Sequence, residues 1–271
     1  MILAAENLKN RGLVRLLCAV SAMVLFGSCE KVIELDLKNA DPVVVIDGGV
    51  SDFNSNQVVR VSRTYEFTEP NRFNGAAGAK VVLTNDAGMT WNYTEVSTGV
   101  YQSTRFRGRP GITYTLNVTL DGETYTASSK MPEKVVLDSL TFKQFDVFGS
   151  ISSYIAVNYN DPPGIQNQYR NVLRVKGKVE DDSVNEDRFD DGNKVSNVIF
   201  YELDELMSGD SVRVEFQCID RNVYKYFYSM GQNSGSGGPP VSPTNPPSNF
   251  SNGALGVFSA YTSSTRVAII K

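Results

Sequence analysis

Seven carboxylates fall within twelve residues of this chain, as Glu180-Asp181-Asp182, Glu186-Asp187 and Asp190-Asp191-Gly192. Oxygen donors at that density suit a hard cation such as calcium, which takes about six to eight oxygen ligands. When Gly192 is set as the turn glycine of an EF-hand loop, the first and fifth ligand positions fall on Asp187 and Asp191. The third is then Phe189 and the twelfth Val198, so the loop pattern fails. Asp187, Asp190 and Asp191 therefore stand as a calcium candidate by composition alone. The competing reading is a solvated acidic loop, the usual state of a charge run.

Trp91, Tyr93 and Tyr101 are a second candidate group, because aromatic rings can stack on a sugar. Rings in strands more often form cores and cross-strand pairs, and Trp91 is the only Trp. The chain has no His. This removes Ser-His-Asp and Cys-His nucleophilic catalysis, His-ligated zinc and the common proton switch near neutral pH. A carboxylate-dependent hydrolase stays chemically open, yet no spacing selects two of the acids, and no catalytic residue is assigned.

The three cysteines divide by context. Cys18 lies in an apolar run, Cys29 at its end, and Cys218 in Val212-Arg213-Val214-Glu215-Phe216-Gln217-Cys218, where alternation puts the thiol on the apolar face. Cys218 reads as a small buried hydrophobe. Cys29 carries more chemistry. Lys9, Arg11 and Arg15 precede the mostly apolar Leu16 to Phe26, and the small residues Gly27 and Ser28 stand just before Cys29. A positive segment, an apolar segment and a small-residue site form an export signal. Eleven residues rise about 17 Å as a helix, short of the roughly 20 residues that span a bilayer. The expectation is a lipoprotein signal peptide over 1–28, cleaved between Ser28 and Cys29, with acyl lipid on Cys29. Phe26 stands where the usual motif has Leu. A tether over 29–40 follows, and firm anchoring needs more than one acyl chain.

The whole chain carries 26 basic and 30 acidic residues. Without Lys9, Arg11, Arg15 and Glu6, the part after residue 28 holds 23 and 29, net −6. An acidic exported chain lacks the basic footprint of nucleic-acid binding.

The elements that must position these residues read as strands. Val43 to Ile46 is a short strand ending at Asp47-Gly48-Gly49, and Gln57 to Phe67 alternates with Val59, Val61, Tyr65 and Phe67 on one face. Lys80 to Thr84 and Met89 to Thr94 flank a turn at Asn85-Asp86-Ala87-Gly88. Ile112 to Ala127 is the sharpest hairpin, with Asp121-Gly122 suited to a type I′ turn. Met131-Pro132 closes a first domain over 41–132. In the second, over 133–271, Ile151 to Tyr159, Val172 to Val179, Lys194 to Tyr201 and Ser211 to Ile219 read as strands. Val223, Tyr226, Phe227 and Met230 have helical spacing over Asn222 to Met230, capped by Asp220 or Asn222. Strand-like Ala254 to Tyr261 and Thr265 to Ile270 end the chain. The expected fold is mainly β: two tandem β-sandwich, immunoglobulin-like domains with one short helix in the second.

Between helix and last strands lies the Gly/Pro-rich loop 231–249, stiffened by Pro239, Pro240, Pro243, Pro246 and Pro247. Loops of this length are uncommon and tend to be functional or mobile, so these prolines are candidates for contact with a partner or ligand. Asp138-Ser139-Leu140, Asp182-Ser183-Val184 and Asp210-Ser211-Val212 each match a short bacterial O-glycosylation pattern, which acts only where exposed.

Motifs in order along the chain carry a resemblance. Cys29-Glu30-Lys31-Val32-Ile33-Glu34-Leu35-Asp36-Leu37 leads, then Gly99-Val100-Tyr101, Pro110-Gly111-Ile112-Thr113-Tyr114-Thr115-Leu116, Thr124-Tyr125-Thr126-Ala127 and Met131-Pro132. Asp161-Pro162-Pro163-Gly164, Asn167 to Arg170, Phe189-Asp190-Asp191-Gly192, Asn245 to Asn249 and Gly253 to Tyr261 complete the series. In this order the chain resembles the DUF4249 lipoproteins of Bacteroidetes. The resemblance implies tandem β-sandwich-like domains, an outer-membrane lipoprotein of the cell envelope, and accessory work beside a TonB-dependent receptor. Glu30 after Cys29 is similar to the acidic signal that sends such lipoproteins to the cell surface. The resemblance supplies no catalytic residue and no cofactor beyond the lipid. The alternative reading is a surface adhesion or glycan-binding module.

Overall fold

Period-two burial and short turns build a mainly β molecule, with one helix among the described residues. The computed structural model describes residues 41–65, 72–147, 149–233 and 245–270. Ser28, Cys29, the signal segment and the tether over 29–40 lie outside the described residues.

The first part holds β1 (Val44–Ser51), β2 (Ser55–Arg63), β3 (Lys80–Asn85), β4 (Thr90–Asn92), β5 (Thr94–Ser97), β6 (Val100–Phe106), β7 (Thr113–Leu120) and β8 (Glu123–Lys130). Strand β7 shows the rule most plainly: Tyr114, Leu116, Val118 and Leu120 are buried while the residues between them are not. Asp121 and Gly122 take φ of 51° and 85° in the β7–β8 turn, the left-handed geometry that a two-residue hairpin needs. The Gly48-Gly49 pair, expected to end the first strand, lies inside β1. A Cβ on Gly48 would come within 3.1 Å of Val59 Cγ2 and 3.3 Å of Leu116 Cδ2. Here the glycines permit close packing rather than a turn.

The second part holds β9 (Leu137–Val147), β10 (Ser150–Asn160), β11 (Gln168–Val175), β12 (Lys178–Glu186), β13 (Lys194–Ile199) and β14 (Ser211–Ile219), then helix α1 (Arg221–Asn233) and β15 (Leu255–Ile269). Val172 to Val179, expected as one strand, is a hairpin: Lys176 and Gly177 turn with φ of 50° and 84° between β11 and β12. Consequently Glu180-Asp181-Asp182 lies in a strand and not in an acidic loop. Helix α1 starts where expected, with Asp220 Oδ1 accepting from the backbone N–H of Asn222 at 2.8 Å and of Val223 at 3.1 Å. It runs on through Gly231 to Asn233, the first residues of the expected loop. Met230, expected on the packed face, is exposed. No described helix is long and apolar enough to cross a membrane.

The strands form three sheets. Strands β4-β3-β7-β8 make one, β13-β10-β9 another, and β12-β11-β14-β15-β1-β2-β6-β5 a sheet of eight. Two main cores result. The first gathers Ile46, Val59, Leu83, Tyr101, Leu116 and Met131. The second gathers Leu137, Ile155, Tyr169, Leu173, Val214 and Phe216. Core membership changes between Met131 and Val135, beside the expected boundary at 132/133. The last strand crosses that boundary. The two expected strands Ala254 to Tyr261 and Thr265 to Ile270 are the single fifteen-residue β15. It runs parallel to β1 from Leu255 to Tyr261 and antiparallel to β14 from Thr262 to Ile269. Phe258 and Ala260 serve the first core, Ala268 the second. Residues 41–271 form one compact unit.

Candidate functional site

Two chain segments separated in sequence converge where β10 and β12 end. Asp161 follows β10 and opens the Asp161-Pro162-Pro163-Gly164 connection to β11; Asp187 follows β12 and opens a turn to β13. Backbone hydrogen bonds lace them: Asp161 N–H to Asn193 O at 2.9 Å, Asp187 N–H to Asn167 O at 3.2 Å, Asp190 N–H to Asp187 O and Asn193 N–H to Asp190 O, both at 2.9 Å. Gly192 has φ of 74°, and a Cβ there would meet Pro163 Cβ at 2.9 Å, so glycine lets the two segments close.

This closure places one carboxylate oxygen from each of Asp161, Asp187 and Asp191 within 4.8 Å of one another. Asp161 and Asp187 are buried and Asp191 is exposed. Of the sequence candidates, the structure thus unites Asp187 and Asp191, replaces Asp190 by Asp161, and leaves Asp190 as a backbone partner in the turn. Four donors hold the carboxylates. Tyr169 OH donates to Asp161 Oδ1, Gly192 N–H to Asp161 Oδ2 at 3.2 Å, Asn167 N–H to Asp187 Oδ2 at 2.8 Å and Gly164 N–H to Asp191 Oδ1 at 2.7 Å. Burial pushes the Asp187 carboxyl above its usual range, the Asn167 N–H opposes that, and the charges of Asp161 and Asp191 add to it. Burial and the bond to Asp161 push the Tyr169 phenol up. No ion pair among the described residues includes these three acids.

Chemically, the cluster can offer a cation three oxygens, about half of what calcium takes. Its present hydrogen bonds make it a clasp between the 161–167 connection and the 187–193 turn. The rest of the acidic stretch has separate duties. Asp182 pairs with Arg170 and Glu180 with Lys178 at 3.1 Å. Asp181 is held above its usual range chiefly by burial.

The aromatic candidates are structural. Trp91 stacks on Phe106 with centroids 4.2 Å apart and planes 20° apart. Tyr93 is buried, which pushes its phenol far up. Tyr101 donates its hydroxyl to Ala76 O at 3.0 Å and accepts from Ala79 N–H at 2.9 Å. Cys218 is buried as expected; burial raises its thiol, and Val135 N–H donates to Sγ at 3.2 Å. Raised and enclosed, it is inert as a nucleophile. Pro239, Pro240 and Pro243 lie outside the described residues. Pro246 and Pro247 lead into Asn249, whose side chain donates to Phe258 O at 2.7 Å and accepts from Phe258 N–H at 2.9 Å. That end of the loop is tied to β15. Ser139 and Ser211 of the glycosylation patterns are exposed.

Asp161 escaped the composition argument because it stands alone between polar and proline residues, far from the acidic run. Its only signal was the neighbouring Asp-Pro-Pro-Gly motif. Also missed was one side of α1, where Arg221, Lys225 and Tyr228 are exposed and the half-buried Tyr224, packed at the edge of the helix core, continues their helical spacing.

A family model described as a domain of unknown function, DUF4249, matches residues 30–267. No curated protein matches the chain.

Proposed function

This chain belongs to the DUF4249 family, and from that premise we propose that it is a non-catalytic binding lipoprotein of the bacterial cell envelope. In this reading acyl lipid on Cys29 holds tandem β-sandwiches at the outer membrane, where they serve as an accessory of a TonB-dependent transporter. The observation that carries the proposal is a coincidence of boundaries. The match begins at Glu30, one residue after the Cys29 that closes the basic, apolar and small-residue series. A matched region that starts directly after a cysteine closing an export-signal pattern is what lipid attachment to that cysteine would produce. The lack of His and the enclosed Cys218 support a binding role over catalysis.

The test is expression in a bacterial host fed a labelled fatty acid. Label on the wild-type chain, and its loss together with release from membranes in Cys29→Ser, is the expected result. A Cys29→Ser chain that still fractionates with membranes overturns the anchor. Affinity purification from native membranes tests the partner, and an outer-membrane receptor retained after a salt wash is expected.

A further inference from the structure

We propose that the groove beside α1 binds an acidic saccharide, a sugar chain bearing uronic-acid carboxylates. The groove has a volume of about 420 Å³ and lies between the outward face of α1 and the chain leaving β12. Arg221, Tyr224, Lys225 and Tyr228 line one side; Arg188 and Phe189 line the other.

Charge is the first argument. The chain as a whole carries net −4, yet this groove presents three cations against a single acid, Glu186, which already accepts from Arg188. Arg221 gives one N–H to Gln166 Oε1 at 3.1 Å, leaving others of its five donors for a ligand. Lys225 has no hydrogen-bond or ion-pair partner among the described residues. Of the acids near Phe189 in sequence, Asp187 and Asp191 gather their carboxylates with that of Asp161, and Asp190 does not line the groove. The groove therefore concentrates positive charge on an acidic molecule, and charge complementarity selects an anion.

Ring faces are the second argument. Phe189 is 88% exposed and Tyr228 50%, so both leave ring surface open to a ligand. Tyr224 and Tyr228 stack at 5.7 Å with planes 28° apart, which fixes the Tyr228 ring in place. Pyranose C–H faces lie flat on such rings, as amphipathic aromatic surfaces favour. From Arg221 to Tyr228 the helix rises about 10 Å, the length of roughly two sugar units, with cations and rings interleaved. Nucleic acid needs a wider basic stripe, and a lone phosphate needs donors converging on one point; here they are spread along a helix face.

The inference rests on the binding-protein reading but not on the anchor. It is tested by calorimetric titration of the purified full chain with tetramers of galacturonate, glucuronate and mannuronate, with neutral maltotetraose and with an Asp/Glu peptide of equal charge. Binding of at least one uronate is expected, at least tenfold weaker in Tyr228→Ala and in Lys225→Gln. Both side chains are exposed, so melting of the variants should match the parent; a variant that melts early is replaced by Phe189→Ala, also expected to lose tenfold. No heat with any uronate overturns the proposal, as does equal affinity for the peptide or affinity untouched by the substitutions. Cys29→Ser should keep full saccharide affinity, which separates failure of the groove from failure of the anchor.

Discussion

The two cores are built from the same kind of strand and end in different chemistry. In the first core two of the buried tyrosines return to nearby backbone: Tyr101 OH bonds Ala76 and Ala79, and Tyr114 OH accepts from Arg109 N–H at 2.8 Å. Two of its hairpins close through short turns at 86–89 and 121–122. In the second core Tyr159, Tyr169 and Phe216 pack with centroids 4.7 to 5.0 Å apart. Both hydroxyls of that trio find side-chain partners: Tyr169 OH donates to Asp161 Oδ1, and Tyr159 OH accepts from Asn185 Nδ2 at 2.9 Å. The connections at 161–167 and 187–193 position carboxylates and the exposed Phe189. The difference teaches that the first core spends its tyrosine hydroxyls Tyr101 and Tyr114 on its own backbone, whereas the second couples its aromatic centre to polar groups in the connections and strands around it. Strand β15 keeps the halves from being independent.

The largest effect should come from that shared strand. Gly256 has φ of 96°, and a Cβ there would lie 2.0 Å from Ile46 O. Gly256→Val should cost at least about 3 kcal/mol by combining backbone strain with lost β1–β15 pairing. Trp91, the only Trp, reports the first core by fluorescence, while circular dichroism reports all strands. The two midpoints should fall together in urea. If only the first core melts early, the halves are separable and the shared strand does not couple them.

Core truncations come next. Phe216→Ala in the second core and Leu116→Ala in the first should cost roughly 3–5 and 2–5 kcal/mol. Each should shift the Trp91 midpoint; a Phe216→Ala chain with its fluorescence midpoint unmoved would break the coupling. Tyr169→Phe should cost about 1–3 kcal/mol, because it leaves buried Asp161 Oδ1 without its phenol donor. The conservative Tyr101→Phe offers the matching measurement in the first core.

Smaller effects sharpen the clasp. Asp187 has a folded-state carboxyl held above the ordinary 3.8. Its stabilising contribution is full below that value and is lost as pH rises through the raised one. Asp187→Asn keeps the acceptor for Asn167 N–H and should flatten that decline. At neutral pH it should gain less than about 1 kcal/mol over the parent. Smallest of all is calcium: with four donors on the carboxylates, millimolar calcium against chelator should move the melting temperature by no more than about 1 °C. A rise of several degrees, lost in Asp161→Asn, would make the clasp a cation site.

Legibility followed the distance over which each feature is decided. The Asp121-Gly122 hairpin, β14 over Ser211–Ile219 and the Asp220 cap were readable because each depends on residues within one turn or one strand. The Lys176-Gly177 turn was not, since Lys has no side-chain preference for positive φ and the apolar alternation continues across it. Gly48-Gly49 carried a turn signal that packing against Val59 and Leu116 overrides. Of the carboxylate cluster, Asp187 and Asp191 were legible as neighbours in a run, and Asp161 was not.

From its order of residues alone the chain determined its β character, the helix that Asp220 caps, the family resemblance from Cys29 onward and the exclusion of His chemistry. Alternation, capping and composition are local quantities, set by each residue and its near neighbours. Only the tertiary structure decided that β15 returns to β1 and spans both cores, that Asp161 meets Asp187 and Asp191, and that Trp91 is packed while Phe189 stands open. Those outcomes depend on which distant surfaces exclude water from one another, and Leu255 pairs with Val45 across 210 residues in which no local pattern marks the partner.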